Sequence, residues 1–315
     1  MLVTTKGMQT MENKKCLIIY NPLSGKGKSS ESVKIYHKIL KEHGCEVDII
    51  ATKRTNHAAE AIINAKDYDV VFAVGGDGTL NEVTKGNIQR KNPLTICPLP
   101  SGTCNDVATM LGYGADPKKN MELALDGEVR IMDIGSINDD PFVYVVGMGK
   151  FMNIPYETKS TDKRKSGYMA YIREGLGEVL AKLKRYRAEV IIDGEKLDGQ
   201  YSLIMISNSD HVAGVDRFHK DVCLDDGEME VLLCKAKSKT EFIKSFLLLF
   251  LGRRSNEIIS LKAHDVQINL LDHPEKRWCI DGEEYNYDGE SYRISLKNRM
   301  KVLAPRKASA RLFKA

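Results

Sequence analysis

The chain has 315 residues, 42% of them hydrophobic and 29% charged, with a net charge of +4 at pH 7. That composition excludes a disordered or fibrous chain and suits a globular protein of two ordinary-sized domains. The longest near-continuous apolar run, "FLLLFL" at 246–251, falls far short of the roughly 20 residues that cross a bilayer.

Residues 1–12 read as a flexible leader, because "MLVTTKGMQTMENKK" carries no apolar signal segment. Next, "KCLIIY" reads as a strand and "SVKIYHKILKEHG" as an amphipathic helix closed by Gly44. "EVDIIAT" is a strand, "HAAEAIINA" a helix, and "DVVFAV" and "LTICPLP" are further strands. Short strand–helix units with continuously apolar strands predict a parallel sheet covered on both faces. In such sheets ligands bind at the carboxyl ends of the strands.

After Arg130 the texture changes. "VRIMDIGSI", "PFVYVVGMG", "AEVIIDG", "YSLIMISNS", "MEVLLCK", "DVQINLL", "RWCIDGE" and "YRISL" are short strands punctuated by turn residues. They predict an antiparallel β-sandwich as a second domain. Two helices interrupt it, "YMAYIREGLGEVLAKLKRY" and "EFIKSFLLLFLG". The expected fold is therefore an α/β domain with a parallel sheet over 13–134, a sandwich over 135–296, and a segment at about 297–310 returning to the first domain. From Lys297 onward there are seven Lys or Arg and no acid, so the basic excess sits in this tail. It either lies solvated or touches anionic lipid, at roughly 1 kcal/mol per residue near such a surface.

The seven cysteines form no C-x-x-C pair and read as reduced packing residues of a cytoplasmic protein. His211 and His219 read as surface or core histidines.

Three loops at strand ends carry chemistry. "YNPLSGKGKSS" nearly fits G-x-x-x-x-G-K-[ST], but Pro22 stands where the leading glycine must be, so it is not a P-loop. Asn21, Ser24 and Gly25 still suit phosphate before a helix N-terminus, with Lys26 as a point charge. In "VGGDGTLNEV", Thr79 and Glu82 fit a capping box. That pairing leaves Gly75, Gly76, Asp77 and Gly78 unexplained. Glycines admit close backbone approach, and a helix N-terminus favours phosphate. An acid there needs a bridging cation, for which Mg²⁺ is the natural choice. "LPSGTCNDVA" repeats the pattern with Gly102, Thr103, Asn105 and Asp106, where Thr103 and Asp106 also suit a cap. Asp133 in "MDIG" stands near the domain junction as a third carboxylate or an ordinary strand-edge residue.

In this order and spacing, "NPLSGKG", "GGDGTLNEV" and "LPSGTCNDVA" resemble the diacylglycerol kinase catalytic-domain family, which includes sphingosine kinases and bacterial soluble lipid kinases. "LDDGEMEVLL" and "CIDGEEY" fit too, so the resemblance runs from about Lys14 to Pro305. "GGDGT" alone is shared with NAD kinases, and "PSGTCND" favours a lipid kinase. The resemblance implies an ATP- and Mg²⁺-dependent kinase that phosphorylates a primary hydroxyl of a lipid, most simply diacylglycerol. It implies ATP contacts at Asn21, Pro22, Leu23, Ser24, Gly25, Thr52, Gly76, Asp77, Gly78, Thr79, Leu80, Asn81, Glu82 and Thr103. It implies a catalytic Mg²⁺ held largely through water by Asp77, Asp106 and Asp133. A structural Mg²⁺ would sit on the Asp226 carboxylate and the backbone carbonyls of Cys223 and Glu228, where the residues alone also read as a "DG" hairpin turn. The base would be Glu283 or Asp281. The implied partner is a lipid at a membrane surface, not nucleic acid, reached through "EFIKSFLLLFLGRR" or the basic "KSTDKRK" at 159–165. That would place the enzyme in the cytoplasm, peripherally at the inner face of the cell membrane. An exposed sandwich edge would allow a homodimer. Two other readings remain, an NAD kinase and a non-catalytic nucleotide- or lipid-binding regulator.

Overall fold

A computed structural model describes residues 12–149, 183–212, 215–216, 219, 221–272, 277–287 and 289–314. The leader up to residue 11, the basic segment 159–165 and most of the helix expected at 168–186 lie outside the described residues. The chain divides into two compact units, one running to Met132 and resuming at Arg299, the other spanning Asp133–Asn298.

The first unit is built as its alternating sequence predicts. Its elements are β1 (Lys15–Tyr20), α1 (Lys28–Glu42), β2 (Glu46–Ala51), α2 (His57–Ile63), β3 (Val70–Gly75), α3 (Asp77–Ile88), β4 (Thr95–Pro100), α4 (Asp106–Met110) and α5 (Pro117–Leu125). The strands pair in parallel in the order β2-β1-β3-β4. β3 is buried along its whole length and β4 nearly so, as strands covered on both faces must be. In α1, Val33, Tyr36 and Leu40 recur at helical spacing and are all buried. Helix α1 packs on α5, and α2 packs on α3.

The strand order itself locates a binding crevice. From β1 the chain moves to β2 on one side, and β3 lies on the other. The loops leaving β1 and β3 therefore diverge, and the carboxyl ends of these two strands form the topological switch point.

The basic tail is not loose. Residues Arg306–Leu312 form a helix, with Ala308, Ser309, Leu312 and Phe313 buried. Arg306 Nε lies 3.2 Å from Asp126 Oδ1, Arg311 donates to the Met110 carbonyl at 2.8 Å, and the Arg130 guanidinium lies 5.9 Å from the centre of the Phe313 ring. The segment is a helix packed on one side rather than a loose end, and Arg306, Lys307, Arg311 and Lys314 are exposed. Its alternating Arg and apolar residues were serving two faces.

The second unit is antiparallel. One sheet runs in the order Ile258–Ala263, Met229–Cys234, Leu203–Ser207, Val145–Gly149, Arg277–Ile280, Glu283–Asn286. Another group pairs Glu195–Tyr201 with Tyr186–Ile192, then Asp265–Leu270, then the Ser291–Ser295 part of the strand Ser291–Ala304. Residues of both groups share one core around Trp278, whose ring lies 4.8 Å from that of Tyr292. Two hairpins turn on Asp193-Gly194 and Asp281-Gly282, each with both residues at positive φ, as two-residue loops require. Among the described residues no helix is long and apolar enough to cross a membrane. All seven cysteines are free, and Cys16, Cys45, Cys97, Cys234 and Cys279 are buried.

Candidate functional site

Three loops of the first unit meet at the switch point. Asn21 N donates to the Val74 carbonyl at 3.1 Å, Thr52 N to the Tyr20 carbonyl at 2.8 Å, and Ser101 N to the Gly75 carbonyl at 2.8 Å. The loop after β1 is shaped by its own polar groups. Asn21 Oδ1 accepts from Leu23 N at 2.9 Å, and Ser29 Oγ donates to the Asn21 carbonyl at 2.8 Å. Gly25, at φ +58°, lies with its backbone against the Ser101 carbonyl. Leu23 is exposed, Pro22, Ser24 and Gly25 are half-buried, and only the backbone of Lys26 is described, in the 3-10 turn Ser24–Gly27.

Residues 75–78 and 101–105 touch backbone to backbone. A Cβ added to Gly102 would lie 2.5 Å from Gly76 Cα and 2.9 Å from Asn105 Oδ1. No flexible side chain can yield at that spot, so glycine is needed at Gly102 for close approach. Gly102→Ala is expected to cost about 1–3 kcal/mol of stability by forcing the two loops apart. Gly114→Ala, which would meet nothing within 4 Å, is the control expected near wild type in the same denaturant titration.

The helix N-termini facing this junction carry no side-chain caps. Neither Gly76, the N-cap of α3, nor Gly27, the N-cap of α1, supplies one, and Asn105 does not cap α4 with its side chain. The expected capping boxes are therefore absent. Helix α3 starts at Asp77, two residues before Thr79, so Thr79 lies inside it. The Glu82 carboxylate instead accepts from Asn56 N at 2.8 Å and Ala58 N at 3.1 Å, closing the N-terminus of α2. Asn105, at φ +55°, grips its own loop by accepting from Gly102 N at 2.6 Å and donating to the Gly102 carbonyl at 3.1 Å. Thr103 is exposed beside it. Leu80 and Asn81 are buried at 5% and 7% exposure.

Uncapped helix starts beside touching glycine loops suit a phosphate chain. Asp77 and Asp106 occupy the first positions of α3 and α4. Two carboxylates on adjoining phosphate-suited loops are hard oxygen donors, and that chemistry fits Mg²⁺.

The remaining expected residues belong to the second unit. Asp133 is buried, with Oδ2 accepting from Gly227 N at 2.9 Å, its N–H donating to the Leu224 carbonyl at 2.7 Å, and its carbonyl accepting from Asn208 Nδ2 at 2.9 Å. Asp281 and Glu283 differ sharply. The buried Asp281 carboxylate accepts from three backbone N–H groups, Val143 at 2.6 Å, Tyr144 at 3.0 Å and Val145 at 3.1 Å. Those bonds also explain why "PFVYVVGMG" breaks into two strands, Asp140–Phe142 and Val145–Gly149. Asp281 thus holds the backbone at 143–145, while Glu283 opens the strand Glu283–Asn286 and is exposed.

At the Cys223, Asp226 and Glu228 loop the fold brings in Lys262, which no local sequence pattern marks. Asp226 Oδ1 accepts from Glu228 N at 3.0 Å, and Oδ2 accepts from Lys262 Nζ at 2.9 Å. Lys262 Nζ also lies 3.5 Å from Glu228 Oε2. Burial opposes the Lys262 charge, but Asp226, Glu230 and Glu228 outweigh it and hold the ammonium above the ordinary lysine range. Burial likewise pushes the Glu230 carboxyl up to about 8, against the pull of Lys262. One Asp226 oxygen thus faces an N–H and the other an ammonium. Lys262 lies on Ile258–Ala263, a strand missed in the sequence, more than thirty residues from its partners, so no local pattern marks it. His211 and His219 are both buried, in keeping with core histidines.

Residues 15–137 match the diacylglycerol kinase catalytic domain, and residues 156–295 match the YegS C-terminal NAD kinase beta sandwich-like domain. The chain is similar to the diacylglycerol kinase of Bacillus subtilis (strain 168), 30% identical over 275 residues that cover 86% of this chain and 90% of the relative. It is 29% identical to the diacylglycerol kinase of Staphylococcus haemolyticus over 301 residues, 93% of this chain and 89% of that one. A crystal structure of a diacylglycerol kinase from Bacillus anthracis str. Sterne superimposes with a TM-score of 0.69 at 20% identity, over 93% of this chain and 98% of that one, and shares the fold.

Proposed function

The chain belongs to the diacylglycerol kinase catalytic-domain family, and from that premise we propose an ATP- and Mg²⁺-dependent kinase that converts diacylglycerol to phosphatidic acid. Family membership implies ATP as the phosphoryl donor. The observation that carries the reading further is the backbone contact of residues 75–78 with 101–105, beside helix starts without side-chain caps. The names of the relatives support diacylglycerol as acceptor.

In this reading the N–H groups of the three loops bind the phosphates, with Lys26 as an added charge. Asp77 and Asp106, joined by Asp133, would hold Mg²⁺, which when bound neutralises charge on the transferring group. Glu283 accepts the proton of the lipid hydroxyl as that oxygen bonds to the γ-phosphorus and the bond from phosphorus to the departing ADP oxygen breaks. The transfer of this proton is late, because an alcohol is a far weaker acid than a carboxylic acid.

A peripheral site at the inner face of the cell membrane is supported by the helix Lys239–Phe250. Phe242 and Phe246 bury one side of it, while Ile243, Leu247 and Leu251 form a stripe 47%, 58% and 62% exposed. Lys244, Arg253 and Arg254 accompany the stripe, the pattern of a helix lying on an anionic bilayer surface. Homodimer formation through the edge strand Glu195–Tyr201 has weaker support, since Glu195, Lys196 and Asp198 charge that edge against pairing.

The test is transfer from γ-labelled ATP to diacylglycerol in anionic vesicles, to sphingosine and to NAD, in parallel. Label is expected in phosphatidic acid. Label confined to sphingosine phosphate or to NADP would overturn the substrate assignment. Leu247→Glu should lower turnover on vesicles several-fold and spare turnover of a dispersed short-chain diacylglycerol, whereas equal rates on both would remove the stripe from the membrane contact.

A further inference from the structure

We propose that the Lys262 ammonium is the cation that holds the 223–228 loop, in the position where the family resemblance places a structural Mg²⁺, so that this part of the fold stands without divalent metal. The geometry argues it directly. Mg²⁺ binds oxygen at about 2.1 Å and requires near-octahedral donors. Here Asp226 Oδ2 takes the Lys262 Nζ at 2.9 Å, and Asp226 Oδ1 accepts from the Glu228 N–H at 3.0 Å. The same ammonium reaches Glu228 Oε2 at 3.5 Å.

Lys262 is placed for this by strand register. It stands opposite Glu230 in the antiparallel pair of Met229–Cys234 with Ile258–Ala263, one strand away from the end of the loop it closes. A lysine keeps its charge without a metal supply, and its long stem spans the strand spacing. The consequence reaches Asp133, because Gly227 N of the same loop donates to Asp133 Oδ2 at 2.9 Å. Lys262 is thus a positioning residue for that carboxylate, through the loop and not by contact. The inference does not rest on the identity of the lipid acceptor.

The test is thermal melting of the full chain without nucleotide, in EDTA and in millimolar MgCl₂. The wild-type midpoint is expected to be the same in both. Lys262→Met should lower it by about 3 °C or more, a shift of ~2 kcal/mol in a chain of this size. Lys262→Arg, which keeps the charge, should melt close to wild type. A wild-type midpoint that drops by a similar amount in EDTA and returns with MgCl₂ would overturn the proposal, as would a Lys262→Met variant that melts like wild type. The wild-type arm decides even where the methionine variant does not fold.

Discussion

Asp77→Asn is expected to lower kcat by about 10³-fold or more, the loss typical when one element of transition-state charge stabilisation is removed. Its melting midpoint should stay within about 2 °C of wild type, since the substitution is isosteric and the site is half-buried rather than a core position. Asp77 opens α3 at the point where residues 75–78 meet 101–105. A carboxylate at a helix start is stabilised by the dipole, but phosphate brought to the same place repels it. A metal between them resolves the conflict, and an amide cannot hold that metal equally well. The variant should therefore need much more Mg²⁺ to reach half its own maximal rate. Near-normal kcat with an unshifted Mg²⁺ dependence would remove Asp77 from the metal.

The alternation of apolar runs with amphipathic stretches made the first unit readable, because a buried parallel strand leaves a run such as "VVFAVG" that admits few other fates. The glycine-rich loops were readable too, since close backbone approach leaves no residue but glycine at Gly102. What misled was sequence proximity. Thr79 and Glu82 have capping-box spacing, yet Glu82 serves the N-terminus of α2, more than twenty residues upstream. The tail looked basic and loose because charge was legible, whereas its anchoring depends on distant partners, Arg130 beside the Phe313 ring and the Met110 carbonyl for Arg311. Glu195–Tyr201 has too many polar residues to read as a strand, and forms one because the Asp193-Gly194 turn zips it onto Tyr186–Ile192. Lys262 lay beyond any local pattern for the same reason, as its role exists only once two strands are in register.

Asp281 and Glu283 stand two residues apart in one acidic loop, and mutation should separate them into different kinds of failure. Asp281→Ala removes the acceptor for Val143, Tyr144 and Val145 N–H groups at once. Hydrogen bonds to a charged group contribute about 1.5–3 kcal/mol each, and buried donors left unpaired add their desolvation cost, so a loss of at least ~3 kcal/mol is expected. Alanine also tolerates the φ of +48° at that turn poorly, whereas asparagine adopts it readily. Asp281→Asn should accordingly recover part of the stability, keeping two carbonyl-type acceptor directions while losing the charge. Glu283→Gln should leave the melting midpoint unchanged, because the side chain is exposed at the start of its strand. It should reduce kcat by about 10²–10⁴-fold, the range for a lost general base. The discriminating measurement is kcat beside a denaturant midpoint for each variant, with kcat taken well below the unfolding transition. A folded, stable Asp281→Asn with the larger kcat loss, beside a nearly active Glu283→Gln, would reverse the two roles. The expected pattern is the opposite, because three N–H groups stabilise the charged form of Asp281 and make it a weaker base than an exposed carboxylate.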